Sequence, residues 1–339
     1  MKRSIIIAEA GVNHNGDINL AKQLINVAAQ AGADYVKFQT FRAEKLVSKE
    51  AQKADYQNRN FQEEDNSQYG MLKKLELSEE DHHILLAHAV NKGIKFLSTG
   101  FDEDSIDFLE KLGVDIFKIP SGEITNYPYL QHIAQKGKPV ILSTGMSTMD
   151  EIGEAIEVLI SSGVSRANLT VLHCTTEYPA PLAEVNLRAM TQIGEVFGVK
   201  IGYSDHTPGI EVPIAAAALG AAVIEKHFTL DRELPGPDHK ASLEPMELSA
   251  MIKSIRNVEL ALGSPEKVVT PSEEKNRAVA RKSIFVAHDL HSGHILKQED
   301  LVMKRPGNGI SPMRLNQVLG KELVKEVRAD AMLQYDFLK

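Results

Sequence analysis

Residues 200–229 read KIGYSDHTPGIEVPIAAAALGAAVIEKHFT, and three segments within them decide the fold. Lys200–Tyr203 is a short strand-like run. Pro213–Leu219 is rich in alanine and stops at Gly220, as a helix ending in a left-handed C-terminal cap requires. Val223–Lys226 is a second strand-like run ending in charge. Strand, crossover helix and strand make a βαβ unit, and two strands joined that way must run parallel.

The same alternation extends back to the start of the chain. Further strands are read at Ile5–Ala8, Tyr35–Gln39, Lys95–Ser98, Ile116–Ile119, Val140–Leu142 and Thr170–His173. Amphipathic helices are read at Leu20–Ala31, Glu79–Asn91, Ser105–Leu112 and Met149–Ser161, with a last one over Pro245–Leu262. Gly93, Gly113 and Gly163 close three of them in the same way as Gly220. Eight strands, each followed by a helix, in about 260 residues predict a (β/α)8 TIM barrel. The sequence contains no GxGxxG or Walker motif that would favour a doubly wound sheet.

Two segments interrupt the rhythm. Ala43–Glu76 is polar and long for a connection, and is read as a partly ordered lid or active-site loop. Gly263–Arg281 is a charged stretch, after which the texture changes to short strands and turns, including the turn at His291–Gly293. The expected organisation is a barrel over 1–262, a linker over 263–282, and a small, mostly β domain over 283–339.

Composition narrows the function. The chain has 339 residues, 43% of them hydrophobic, and a net charge of −8 with the two signs intermixed. No basic stripe or polybasic cluster suggests nucleic acid or anionic lipid, so neither partner is expected. Cys174 is the single cysteine, which excludes an intramolecular disulfide and fits a reducing compartment. The apolar run Ile5–Ala8 is too short for a signal sequence or a membrane span, and a cytoplasmic location is expected.

In a barrel of this kind chemistry gathers where the strands end, so the residues there are informative. They are Glu9, Lys37, Thr99, Lys118 with Ser121 and Glu123, Ser143 with Thr144, Thr175 with Thr176, Ser204 with Asp205 and His206, and Lys226 with His227. Each has a bland explanation, such as a helix cap, a snorkelling lysine or a satisfied loop histidine. Stability does not require polar groups on all eight strands. Two lysines with several hydroxyls suit a ligand that carries both a phosphate and a carboxylate. His206 and His227 end neighbouring strands and could share a divalent ion such as Mn²⁺, Fe²⁺, Co²⁺ or Zn²⁺. Alternatively, His206 only hydrogen-bonds Asp205 or a loop carbonyl. Glu9 and Glu123 are the carboxylates available for proton transfer, with Glu123 read as an ionised base beside a lysine. The loop of His14 either lines the site or shapes the barrel rim.

These residues sit in longer motifs. They are AEAGVNHNG at 8–16, VKFQT at 36–40, FKIPSGE at 117–123, LSTGM at 142–146, GYSDHT at 202–207, EKHFT at 225–229, PGPDH at 235–239 and KRPGNG at 304–309. Taken in this order over essentially the whole chain, they resemble the sialic acid synthase family, including its legionaminic and pseudaminic acid branches. The resemblance implies condensation of phosphoenolpyruvate with an N-acylated mannosamine-type sugar and release of phosphate by C–O cleavage. It implies a metal on His206 and His227, most often Mn²⁺, with Mg²⁺ or Co²⁺ as alternatives. Lys37, Thr99, Lys118, Ser121, Ser143 and Ser204 would hold phosphoenolpyruvate. Thr176, Tyr178, Asp238 and Arg305 would face the sugar, and Glu123, Glu9 and His227 would serve catalysis. The C-terminal segment resembles an antifreeze-like (SAF) domain, and the family implies a homodimer in which that domain reaches the partner's barrel. In CTTEYP at 174–179, members that use N-acetylmannosamine carry an Asn where this chain has only Thr after Cys174, which favours a legionaminate-type product over N-acetylneuraminate. Two other classes are weighed beside this one. One is a Schiff-base aldolase using Lys37 or Lys118, and the other is a carbohydrate-binding protein with an inert barrel.

Overall fold

The structure is a computed structural model that describes residues 3–60 and 67–339. It divides into two compact units, 1–263 and 264–339.

The first unit holds eight parallel strands: β1 Ile5–Gly11, β2 Tyr35–Thr40, β3 Lys95–Gly100, β4 Phe117–Ile119, β5 Val140–Ser143, β6 Leu169–Cys174, β7 Lys200–Asp205 and β8 Val223–His227. Their order in the sheet is β3-β2-β1-β8-β7-β6-β5-β4, and the two ends, β3 and β4, lie against each other. This is the expected (β/α)8 barrel. Most strands run one to three residues further than their apolar runs indicate, because the polar residues at their ends still pair in the ladder. Ser204↔Glu225 and Asp205↔Lys226 are examples.

Each strand is followed by a helix that packs on the outside. The sequence reading omitted two of these, Tyr127–Ala134 and Arg188–Phe197. Both are short and lie between polar loops, which hid their apolar faces. The helix Glu79–Lys92 shows how local sequence sets the ends. Ser78 and Asp81 form a reciprocal capping box at its start, and Gly93, at φ 72°, closes it in the left-handed conformation that a side chain would strain.

Strand alternation then builds two cores. Outward residues such as Ile6, Val36, Phe38, Phe117, Leu142 and Ile224 bury themselves against helix residues such as Leu24, Leu85, Leu109, Ile156 and Met251. Inward residues Ile7, Tyr35, Leu97, Ile141, Leu172 and Val223 fill the barrel near the strand starts.

The segment after β2 contains the helices Ala43–Leu46, Asp55–Asn60 and Gln68–Leu75. Residues 61–66 of the expected loop lie outside the described residues. Met71, Leu72 and Leu75 form a small apolar cluster with Val12, Phe41 and Ala43.

In the second unit, β9 Ser283–Val286 and β10 Leu301–Lys304 pair antiparallel. They cover a core of Ile284, Val286, Leu290, Leu296, Ile310, Val318, Leu323, Val327 and Leu333. The stretch read as a linker carries the helix Pro271–Ala280, started by a Thr270–Glu273 capping box. That helix belongs with the second unit, since the Gly307 N–H donates to the Ala278 carbonyl at 2.7 Å. No described helix is long and apolar enough to cross a membrane.

Candidate active site

Two residues beyond the apolar layer, along the same inward parity, the barrel interior changes character. Glu9, Lys37, Thr99, Lys118, Ser143, Ser204 and Glu225 point into a cavity of about 310 Å³ at the strand ends. Every strand-end residue named above as a phosphoenolpyruvate ligand lines this cavity, together with Ser121, Glu123, Thr176, Tyr178, His206, His227 and Asp238. Arg305 is exposed in the second unit, directly after β10.

The two lysines are held by carboxylates. Lys37 Nζ lies 2.9 Å from Glu9 Oε2 and 3.6 Å from Glu225 Oε1, and donates to Thr99 Oγ1 at 3.0 Å. Lys118 Nζ lies 3.6 Å from the same Glu225 oxygen, which also accepts from Ser204 Oγ at 3.1 Å. Glu225 is therefore the hub of the site, and the sequence reading missed it. The signal was available, since it stands two residues before His227 on β8 and so shares its inward face.

Burial sets the protonation preferences. It raises the Glu9 carboxyl to about 7, with Lys37 pulling the other way. Burial also disfavours charge on Glu225, but Lys118 and Lys37 outweigh it and hold that carboxyl below its usual value. For Lys37, burial opposes charge while Glu225 and Glu9 raise its basicity above normal. Lys118 is pushed down by burial. The layer therefore offers Lys37 as a fixed cation and Glu9 as a carboxyl able to keep a proton near neutrality.

Ser121 and the Ser143–Met146 turn form a second wall. Gly145 N–H donates to Ser121 Oγ at 2.9 Å, and Cys174 Sγ lies 3.3 Å from the same hydroxyl. A side chain at Gly145 would run into Thr176 Oγ1 and Ser121 Oγ, so glycine keeps this wall open. Among the described residues, the Ser143 and Thr176 hydroxyls are buried without a hydrogen-bond partner. Unpaired buried donors facing a cavity are costly unless a ligand meets them.

The histidines form the third feature. His206 Nδ1–H donates to the Thr175 carbonyl at 2.6 Å, which leaves Nε2 as an acceptor. The hydrogen bond to a loop carbonyl read as one alternative for His206 is present, and it orients the ring with the other nitrogen left open. The ring centroids of His206 and His227 are 5.4 Å apart. His227 Nδ1 is buried without a hydrogen bond, and the nearest Asp238 carboxylate oxygen is 3.9 Å away. Burial lowers His206 to about 4 and His227 well below its usual value, so both rings are neutral at neutral pH. Burial also raises Asp238 to about 6. Two neutral imidazoles, one with an orphaned buried nitrogen, fit a divalent ion whose other positions go to oxygen donors. Among the described residues no cluster of three or more His, Cys, Asp and Glu forms a closed cage.

Several strand-end readings need correction. Asp205 and Lys226 face outward, paired with each other at 2.5 Å and fully buried beneath the helices, because each is one residue out of phase with the inward set. Glu123 lines the cavity rim, but its partner is the Asn126 amide, which donates at 2.6 Å, and no ion pair to a lysine forms among the described residues. His14 is fully buried, accepts from Gly16 N–H at 3.0 Å and does not line the cavity, whereas Val12 of the same loop does. Tyr56, Gln57, Gln68, Met71, Leu72 and Leu75 do line it, and all come from the segment after β2.

The model of the NeuB family matches residues 24–267, which is most of the barrel. The chain belongs to the NeuB family. A SAF domain follows over residues 281–339. Among NeuB relatives, the chain is 53% identical over 334 residues to the N,N'-diacetyllegionaminic acid synthase of Campylobacter jejuni, covering 98% of this chain and all of that protein. It is 51% identical to the synthase of the same name from Legionella pneumophila, covering 98% of this chain and 94% of that one. Among solved structures, it resembles the N-acetylneuraminic acid (sialic acid) synthetase of Leptospira borgpetersenii serovar Hardjo-bovis. The TM-score is 0.71 at 34% identity, over 81% of this chain and 90% of that one. The first-strand motif and the SAF segment thus belong to one arrangement that runs the length of these relatives.

Proposed function

We propose that this NeuB-family enzyme is an N,N'-diacetyllegionaminate synthase, joining phosphoenolpyruvate to 2,4-diacetamido-2,4,6-trideoxymannose and releasing phosphate. The observation that carries this reading is the buried layer of Lys37 and Lys118 with the unpartnered Ser143 and Thr176 hydroxyls beside it, in a chain about half identical to two such synthases from end to end.

In this reading Lys37, Lys118, Thr99, Ser121, Ser143 and Ser204 hold the phosphate and carboxylate of phosphoenolpyruvate, so that its C3 carbon faces the open-chain sugar. A divalent ion held by His206 and His227, Mn²⁺ being favoured over Mg²⁺ or Co²⁺, would supply Lewis-acid polarisation of the sugar aldehyde. C3 attacks the aldehyde carbon, and Glu9 can deliver a proton to the oxygen that gains charge. Water then adds at C2 with one proton taken at the rim by Glu123, and the C2 hydroxyl collapses to the ketone as the C2–O bond breaks, phosphate departing with the bridging oxygen and the remaining proton. Tyr178, Asp238 and Thr176 border the sugar end of the cavity. The homodimer with exchanged C-terminal domains is part of the proposal, with Arg305 of the partner subunit completing that end.

The test offers metal-stripped protein Mn²⁺ and phosphoenolpyruvate, with the diacetamido sugar and N-acetylmannosamine in separate reactions. Phosphate release with the diacetyllegionaminate mass, faster than the N-acetylneuraminate reaction, is the expected result. Faster turnover of N-acetylmannosamine would reassign the substrate. Borohydride trapping of an adduct on Lys118, whose amine burial makes less basic, would instead indicate aldolase chemistry.

A further inference from the structure

The six-residue helix Asp55–Asn60 makes contacts that the reading above does not use. The Tyr56 ring stacks on Tyr178, with centroids 4.8 Å apart at 29°. Arg59 pairs with Glu177 at the surface. The Asn60 amide nitrogen donates to two carbonyls, those of Tyr178 at 3.2 Å and Pro237 at 2.9 Å. All of these contacts fall on two loops, one following β6 and the other following β8.

The two loops carry the groups that stand around the histidine pair. The Tyr178 ring, on which Tyr56 stacks, also packs against His206 with centroids 4.1 Å apart at 32°. Pro237 immediately precedes Asp238, whose carboxylate faces His227. A single amide that bonds both loop carbonyls fixes their spacing, and a stacked aromatic fixes the tilt of Tyr178. The lysine layer, by contrast, is set by the barrel strands themselves.

We infer that Asn60 and Tyr56 are positioning residues for the sugar end of the cavity, holding Tyr178 and Asp238 in place and thereby governing binding of the second substrate but not of phosphoenolpyruvate. The inference takes from the synthase reading only what fills that end. Asn60 is not among the residues that line the cavity, and Tyr56 acts here through its stack on Tyr178. The Asn60 bridge acts through backbone carbonyls, so its effect depends on the amide and not on charge.

The full-length chain with Asn60→Ala, Asn60→Asp, Tyr56→Ala and Tyr56→Phe tests this by steady-state kinetics and hydrogen exchange. Asn60→Ala and Tyr56→Ala are expected to raise the sugar KM fivefold or more, with the phosphoenolpyruvate KM within twofold. Tyr56→Phe keeps the stack and should stay within twofold of the parent for both. Asn60→Asp, which removes the shared donor at the same size, should behave like Asn60→Ala and serves if the alanine variant folds poorly. Amide exchange in peptides 174–180 and 235–240 should quicken in the Asn60 variants, while β1 and β2 stay unchanged. An equal rise in both KM values, unchanged exchange in both loops, or loosened loops with an unchanged sugar KM would each overturn the inference. If the parent chain released no phosphate with any sugar, the synthase reading would fall, and the exchange data would still decide whether the bridge positions the loops.

Discussion

The lower and upper halves of the barrel interior are built by the same strands with the same pleat, yet they differ completely in chemistry. One step of two residues converts Ile7 to Glu9, Tyr35 to Lys37, Leu97 to Thr99, Ile116 to Lys118, Ile141 to Ser143, Gly202 to Ser204 and Val223 to Glu225. That step is roughly 6–7 Å along a strand. The lower layer stabilises the fold by excluding water. The upper layer places charge in a buried cavity and depends on mutual pairing to do so. The division teaches that fold and function are separated here by depth along the strand and not by segment of chain.

The comparison can be broken by substitutions that respect one layer and damage the other. Lys118→Met should lower kcat/KM by about a thousandfold or more, since a preorganised cation facing a developing phosphate charge is worth several kcal/mol. Its unfolding free energy should change much less, since Lys37 remains 3.6 Å from Glu225 to balance the carboxylate. Chelation should reduce turnover by about a hundredfold or more with unchanged circular dichroism, and added Mn²⁺ should restore it. Activity that survives chelation would remove the ion from the account.

Leu97→Ala in the lower layer should show the reverse pattern. Urea unfolding should report a loss of about 2–5 kcal/mol, while turnover per folded molecule stays within about threefold. A large drop in turnover without a loss of stability would blur the division between layers.

Glu9→Gln sharpens it through pH. Burial raises the Glu9 carboxyl to about 7 in the folded chain, above its ordinary value of 4.5. Between those values the folded protein keeps a proton that the unfolded chain has released, so this residue makes stability fall as pH rises through that window. The parent should therefore lose stability relative to Glu9→Gln between about pH 4.5 and 7, by on the order of 1–3 kcal/mol in metal-free protein. No difference in slope between the two would show that Glu9 is ionised throughout.

Much of this was legible in the sequence because period-two alternation and polar strand ends carry both the barrel and its active face. Glu225 was not read because β8 was ended at Lys226, and the end of the run was taken for the inward position. Lys226 and Asp205, named among the polar strand ends, face outward because a shift of one residue in a strand exchanges inside for outside. The segment Ala43–Glu76 is legible as a lid or active-site loop, but the particular roles of Tyr56 and Asn60 within it are not. Both meet Tyr178, more than 100 residues away in sequence, and no local pattern encodes such a meeting.

The central claim is that the upper layer drives carbon–carbon condensation with C–O cleavage of phosphoenolpyruvate. The most direct test runs the reaction in ¹⁸O-labelled water with Mn²⁺ and the diacetamido sugar, and weighs the released phosphate. Phosphate free of ¹⁸O, formed together with a nonulosonic acid, is the predicted result, because the bridging oxygen leaves with phosphorus. Phosphate carrying one ¹⁸O would mean that water attacks phosphorus, and would contradict the account.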